Sequence, residues 1–145
     1  MVSKKCIYAL RAIFELSLRN SSDPVKIRDI AVSQAIPQRF LEIILAELKH
    51  AGFLESRRGN DGGYILSRPA KKITVGEIIF FFESGKNNSK KRIMNEIPKI
   101  GNYAFQKLWD NVSTAISNVY ENTTFDDMVR DELKHKSKYV LNYAI

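Results

Sequence analysis

Arg57-Arg58-Gly59-Asn60-Asp61-Gly62-Gly63-Tyr64-Ile65-Leu66 is the stretch on which the fold of this 145-residue chain turns. Two short runs suited to strands, Phe53 to Arg57 and Tyr64 to Ser67, flank a polar loop rich in glycine, which is the signature of a β-hairpin. Three helices are expected upstream of it. Ser3 can cap a helix from Lys4 to Arg19, whose Ile7, Leu10, Phe14 and Leu18 recur at helical spacing. A polar connection, Asn20 to Pro24, leads to a short helix from Lys26 to Val32 that buries Ile27, Ile30 and Ala31, and Ser33 to Ile36 form a tight turn. Pro37 suits the first turn of a third helix, where its missing N–H would have no partner anyway, and Gly52 ends that helix after Ala51. Helix, helix, turn, helix, hairpin is the order a winged helix-turn-helix requires, so the expected class is mainly α with a small β-hairpin wing.

Beyond the hairpin, Thr74-Val75-Gly76-Glu77 fits a capping box that opens a fourth helix, reaching about Ser84. Residues 85–101 read as a polar, basic linker. From Asn102 to Tyr120 the apolar residues Phe105, Leu108, Trp109, Val112, Ala115, Ile116 and Val119 recur at three and four, so a long amphipathic helix is expected. Its strip, Phe105, Leu108, Trp109, Val112, Ile116 and Val119, needs a cover. A second copy of the chain supplies one, and the amino-terminal helices are the alternative. Thr123 or Thr124 can cap one more helix, through Leu133. The expected organisation is a winged helix-turn-helix over 1–84, a linker over 85–101, and a dimerisation helix with a final helix over 102–145.

Charge narrows the function. Residues 1–99 hold 18 Lys and Arg against 10 Asp and Glu, whereas residues 100–145 hold 5 against 6, so the winged half is the polyanion-binding candidate. The longest apolar run, Ile78 to Phe82, is far too short to cross a membrane, and the first residues lack a signal-peptide core, so a cytoplasmic protein is expected. One cysteine excludes an internal disulfide and a cysteine-only metal site. Cys6 lies beside an apolar stripe, where cysteine behaves as a small buried hydrophobe; a redox-sensing thiol is the alternative. Isolated histidines at 50 and 135, no metal-ligand spacing, and a glycine loop without the lysine-serine or lysine-threonine ending of a P-loop argue against an enzyme, and no cofactor is expected.

The third helix carries the chemistry. Leu41, Ile44, Leu45 and Leu48 make its apolar stripe, while Arg39, Glu42, Ala46 and Lys49 recur on the other side and Gln38 stands at the start. The major groove admits a helix, and its base edges are told apart by donors and acceptors: arginine or lysine for guanine, glutamine for adenine, glutamate for the cytosine amino group. In the hairpin, Arg57, Arg58 and Gly59 enter a loop without bulky side chains, so its backbone can approach a phosphate and a guanidinium can clamp one or enter a narrow minor groove. Arg28 on the second helix joins the candidate contacts. Double-stranded DNA is therefore the expected partner. A winged-helix module that binds another protein is the rival, and it calls for an acidic or apolar recognition face.

Tyr8-Ala9-Leu10-Arg11-Ala12, Ile27-Arg28-Asp29-Ile30-Ala31, Phe40-Leu41-Glu42 and above all the wing motif, followed by Arg68-Pro69, resemble the Rrf2 family of bacterial transcription regulators. Ile73 to Ile78, Leu108-Trp109 and Thr123 to Val129 extend the resemblance over most of the chain. It implies a homodimer, usually a repressor, on a partly palindromic operator. It places Gln38, Arg39 and Glu42 at the bases, Arg58 in the minor groove, and Lys4 and Lys5 near backbone phosphates. Arg39 stands where members often carry a small hydroxyl residue, which implies a different operator. The cluster-binding branch has three cysteines between the helix after the wing and the dimerisation helix; Ser84 to Gly101 contains none. The iron–sulfur cofactor is not carried over, and the effector stays unassigned.

Overall fold

The computed structural model describes residues 2–84 and 101–143, with side chains through residue 138. The expected linker therefore lies outside the described residues, apart from Gly101.

Helix α1 (Lys4–Arg19) occupies the middle of the fold, with α2 (Ile27–Gln34), α3 (Gln38–His50), α4 (Val75–Ser84) and the last helix, α6 (Phe125–Tyr143), packed around it. That position explains a departure from the expected stripe. Cys6, Ala9, Ala12, Ile13 and Leu16 are the buried apolar side chains of α1, whereas Leu10 and Phe14 are half-buried and Ile7 is exposed. A helix covered on several sides buries small residues so that its neighbours can come close. Ser3 caps it, its hydroxyl accepting from the Cys6 N–H at 3.2 Å, and Asn20 closes it in the left-handed conformation.

After α3, Gly52 takes φ +86° and the Phe53 N–H bonds back to the Leu48 carbonyl at 2.9 Å, a glycine-terminated helix end. Strands β1 (Leu54–Arg57) and β2 (Gly63–Leu66) then pair antiparallel, with Leu54 opposite Leu66 and Arg57 opposite Gly63. The capping box forms as expected: the Thr74 N–H donates to the Glu77 carboxylate at 2.8 Å, and the Glu77 N–H donates to the Thr74 hydroxyl at 3.2 Å.

The carboxy-terminal helices are tied back to the winged unit. The Val75 N–H donates to the Thr123 carbonyl at 2.9 Å, the Phe125 N–H to the Ile73 carbonyl at 3.0 Å, and Phe125 is wholly buried in the common core. Thr124, not Thr123, caps α6, exchanging hydrogen bonds with Asp127. These bonds from Thr124 hold the exposed Asp127 carboxyl below the usual carboxylate range. Helix α6 continues to Tyr143, ten residues beyond the expected Leu133. No stop signal follows Leu133 in Lys134 to Tyr143, which contains neither glycine nor proline.

Helix α5 (Tyr103–Asn122) meets α4 through small groups. Ser113, Ser117 and Tyr120 are its half-buried positions before the last turn, and a Cβ on Gly76 of α4 would lie 3.0 Å from the Tyr120 carbonyl. The apolar strip occupies the adjoining flank and is exposed throughout: Phe105, Leu108, Trp109, Val112, Ile116 and Val119. Among the described residues, nothing in the chain covers it.

Candidate nucleic-acid interface

Helix α3 is held on one side and open on the other. Leu41, Ile44, Leu45 and Leu48 are buried, while Gln38, Arg39, Glu42, Ala46 and Lys49 are exposed. The Gln38 amide reaches the Glu42 carboxylate at 3.4 Å, one turn along the same face. Among the described residues, Arg39 and Lys49 have no acidic partner.

The remaining cations differ in how free they are. Lys5 is engaged, its ammonium 2.6 Å from Glu47, which ties the first turn of α1 to α3. Lys4 is exposed, its ammonium over the Tyr8 ring at 5.7 Å. Arg28 is exposed on α2, 3.9 Å from Asp29, and exposed pairs of this kind contribute little.

A polar cluster absent from the sequence reading sets α2 against α1. Glu15, buried in the middle of the fold, accepts from Arg19 at 2.7 Å and from the Gln34 amide at 2.8 Å, and Arg19 also donates to the Ser33 hydroxyl at 3.0 Å. Burial pushes the Glu15 carboxyl up, but the hydrogen bonds from Gln34 and Arg19, the Arg19 charge and Ser33 outweigh it and leave the group below its ordinary value. The Glu15–Arg19 spacing of four was the available signal. Gln34 and Ser33 enter the cluster only through tertiary packing.

In the wing, Arg57, Arg58 and Gly59 are exposed, and Gly59 takes φ +110°. Gly62 and Gly63 have a reason internal to the chain. A Cβ on Gly62 would strike the Arg57 carbonyl, and one on Gly63 the Val25 carbonyl. Val25 and Tyr64 exchange backbone hydrogen bonds at 2.9 Å in both directions, seating the wing against the segment before α2. The glycines were expected to open the loop to phosphate; for these two, close backbone packing is the cause. On the far side, Arg68 donates to Glu77 at 2.7 Å and lies over the Phe53 ring at 5.2 Å, fastening the return strand to α4.

A family model described as Rrf2, "Iron-dependent Transcriptional regulator", matches residues 2–131. The chain belongs to the Rrf2 family. This Rrf2 chain is 30% identical to the HTH-type transcriptional regulator CymR of Bacillus subtilis over 127 residues, covering 88% of each protein. It is 28% identical to the regulator IscR of Vibrio campbellii over 130 residues, covering 90% of the chain and 77% of that protein. The solved structure of CymR, described as the global cysteine regulator of B. subtilis, superposes with a TM-score of 0.77 at 28% identity, over 90% of the chain and 96% of CymR. That of T. potens IscR gives 0.71 at 32% identity, over 91% and 88%. CymR and IscR are transcriptional regulators and not enzymes, and this Rrf2 chain is of that class. The mainly α fold with its hairpin wing is the fold they share.

The donor set does not fit a cysteine-ligated iron centre. Cys6 is wholly buried on α1, and its thiol is pushed up to about 12 by burial first and then by the charge and hydrogen bond of Glu83. Metals bind thiolate. Among the described residues no group of three His, Cys, Asp or Glu could hold a metal ion, and residues 85–100 contain neither cysteine nor histidine. The same burial speaks against a redox-sensing role for Cys6. No helix among the described residues is long and apolar enough to cross a membrane.

Proposed function

We propose that the chain is a cytoplasmic, homodimeric, sequence-specific DNA-binding regulator that represses from a partly palindromic operator. One observation carries the reading: α3 is anchored by four buried apolar side chains and keeps Gln38, Arg39, Glu42 and Lys49 in solvent, with both cations uncommitted among the described residues. A rigid helix with free donors and acceptors is what a major groove requires. Arg57, Arg58 and Gly59 of the wing, Lys4 and Lys5 of α1, and Arg28 of α2 supply the backbone and minor-groove contacts. The strip of α5 joins two copies, and a twofold pair sets two α3 helices on one face of the duplex, about 34 to 36 Å or a multiple apart. The units are the winged domain over 1–84, the linker over 85–101 and the dimerisation segment over 102–145.

Selection of bound fragments from the source genome, followed by gel shift, tests this. The expected result is a small set of fragments sharing an inverted repeat, bound with an affinity that falls by orders of magnitude as salt rises. Binding that ignores sequence, or is flat with salt, refutes the reading.

A further inference from the structure

Ile43 stands out on α3 because it is apolar and yet 56% exposed, and Phe40 one turn before it is 59% exposed. At 100° per residue the buried stripe centres between Leu41 and Leu48, and Ile43 falls about 150° away from it, with Arg39 and Ala46 on one side and Phe40 and Glu47 on the other. The middle of the open face thus carries Ile43 and Ala46 beside Arg39, with Glu42 toward the polar flank and Phe40 and Glu47 toward α1. On the side toward α1 it continues into a groove of about 380 Å³ lined by Lys4, Lys5, Tyr8, Phe40, Ile43 and Ile44. An apolar floor with Lys4 and the Lys5–Glu47 ion pair at its rim leaves one positive charge unpaired, which suits a polyanion that carries an apolar group. Of the groups that a duplex shows in the major groove, the C5-methyl of thymine is the one apolar group.

We propose that Ile43, supported by Ala46 and Phe40, reads thymine methyl groups in the operator, while the lysines beside the groove face the backbone of the same strand. The proposal rests on the reading of α3 as the recognition helix and adds what its polar residues leave open: thymine stands opposite the middle of the helix. Ile43 is thus a specificity-determining residue, and its exposure within the chain means that replacing it spares the fold.

The test compares a synthetic duplex carrying the selected operator with the same duplex in which deoxyuridine replaces thymine, which removes the methyl and keeps every base-pairing group. Wild-type protein should bind the uracil duplex about fourfold more weakly per methyl lost, the equivalent of about 0.8 kcal/mol for one buried carbon. Restoring one thymine at the central position should recover that factor. Ile43→Ala should bind both duplexes equally. A wild-type ratio of one, or the same ratio in Ile43→Ala, overturns the proposal, the second because uracil would then be acting on the DNA alone. An Ile43→Ala variant that dimerises more weakly and keeps the wild-type ratio would instead seat a second copy on this face, and also overturns it. If no operator can be selected at all, the reading of α3 itself has failed, which is a different result from an operator that ignores the methyl.

Discussion

The dimer is the part of the proposed function most open to direct attack, through Leu108 and Val112 of α5. Both lie in the exposed strip, Leu108 at 47% and Val112 at 39% of full exposure, and neither belongs to the hydrophobic core, so aspartate there places no charge in the core. Fully burying such a side chain is worth about 1.5 to 3 kcal/mol. Covering the exposed fractions of the pair therefore contributes roughly 1.3 to 2.6 kcal/mol per copy, and about twice that in an isologous interface where each strip meets its twin. Losing it weakens dimerisation by about two to four decades. This is a lower bound, because four carboxylates would also have to be desolvated without partners. Sedimentation equilibrium across nanomolar to micromolar protein reads the dissociation constant, and circular dichroism checks that the variant is folded. The reasoning fails if wild-type protein is a monomer at micromolar concentration, or if the folded double variant keeps the wild-type constant. A variant that is monomeric should also lose most of its specific DNA affinity, since it meets only one half-site.

Arg58→Ala in the wing should cost roughly 1 to 3 kcal/mol of operator binding while leaving the melting temperature in place, because its guanidinium makes no ion pair among the described residues; unchanged affinity by fluorescence anisotropy would reduce Arg58 to surface charge. Glu15 predicts an acid-side dependence: its folded pKa lies below the ordinary value of 4.5, so its stabilisation is fully present above that pH and is lost as pH falls through the folded value. Chemical denaturation should then show Glu15→Gln less stable than wild type at neutral pH with the two curves converging in acid, and parallel curves would contradict the assignment. Cys6, held near 12, should react with a thiol reagent at pH 8 about a thousandfold more slowly than an ordinary cysteine, from thiolate fraction alone. Fast labelling of the native protein would restore a redox role.

The order of elements was determined by the sequence, because the signals that fix it are local. Thr74 and Glu77 satisfy each other three residues apart, Gly52 ends α3 within one turn, and the glycines between Arg57 and Tyr64 reverse the chain where two short runs must pair. The polar and apolar sides of α3 and α5 were equally legible, since helical periodicity alone sorts them. What only the tertiary structure decided depends on groups far apart in the chain. Periodicity pointed to Ile7 on α1, but a helix packed against four others buries Ala9 and Ala12 and leaves Ile7 outside. Gly63 reads as a turn residue until Val25, nearly forty positions earlier, comes to lie against it. Glu15 looks like a solvated acid until Gln34 closes over it. Ile43 falls outside the buried stripe of α3 by periodicity, but the groove that it and Phe40 share with Lys4 and Tyr8 exists only because of how α1 packs against α3. Capping and periodicity act over a few residues and can be read along the chain; burial and close approach are set by which surfaces meet, and only the assembled fold determines that.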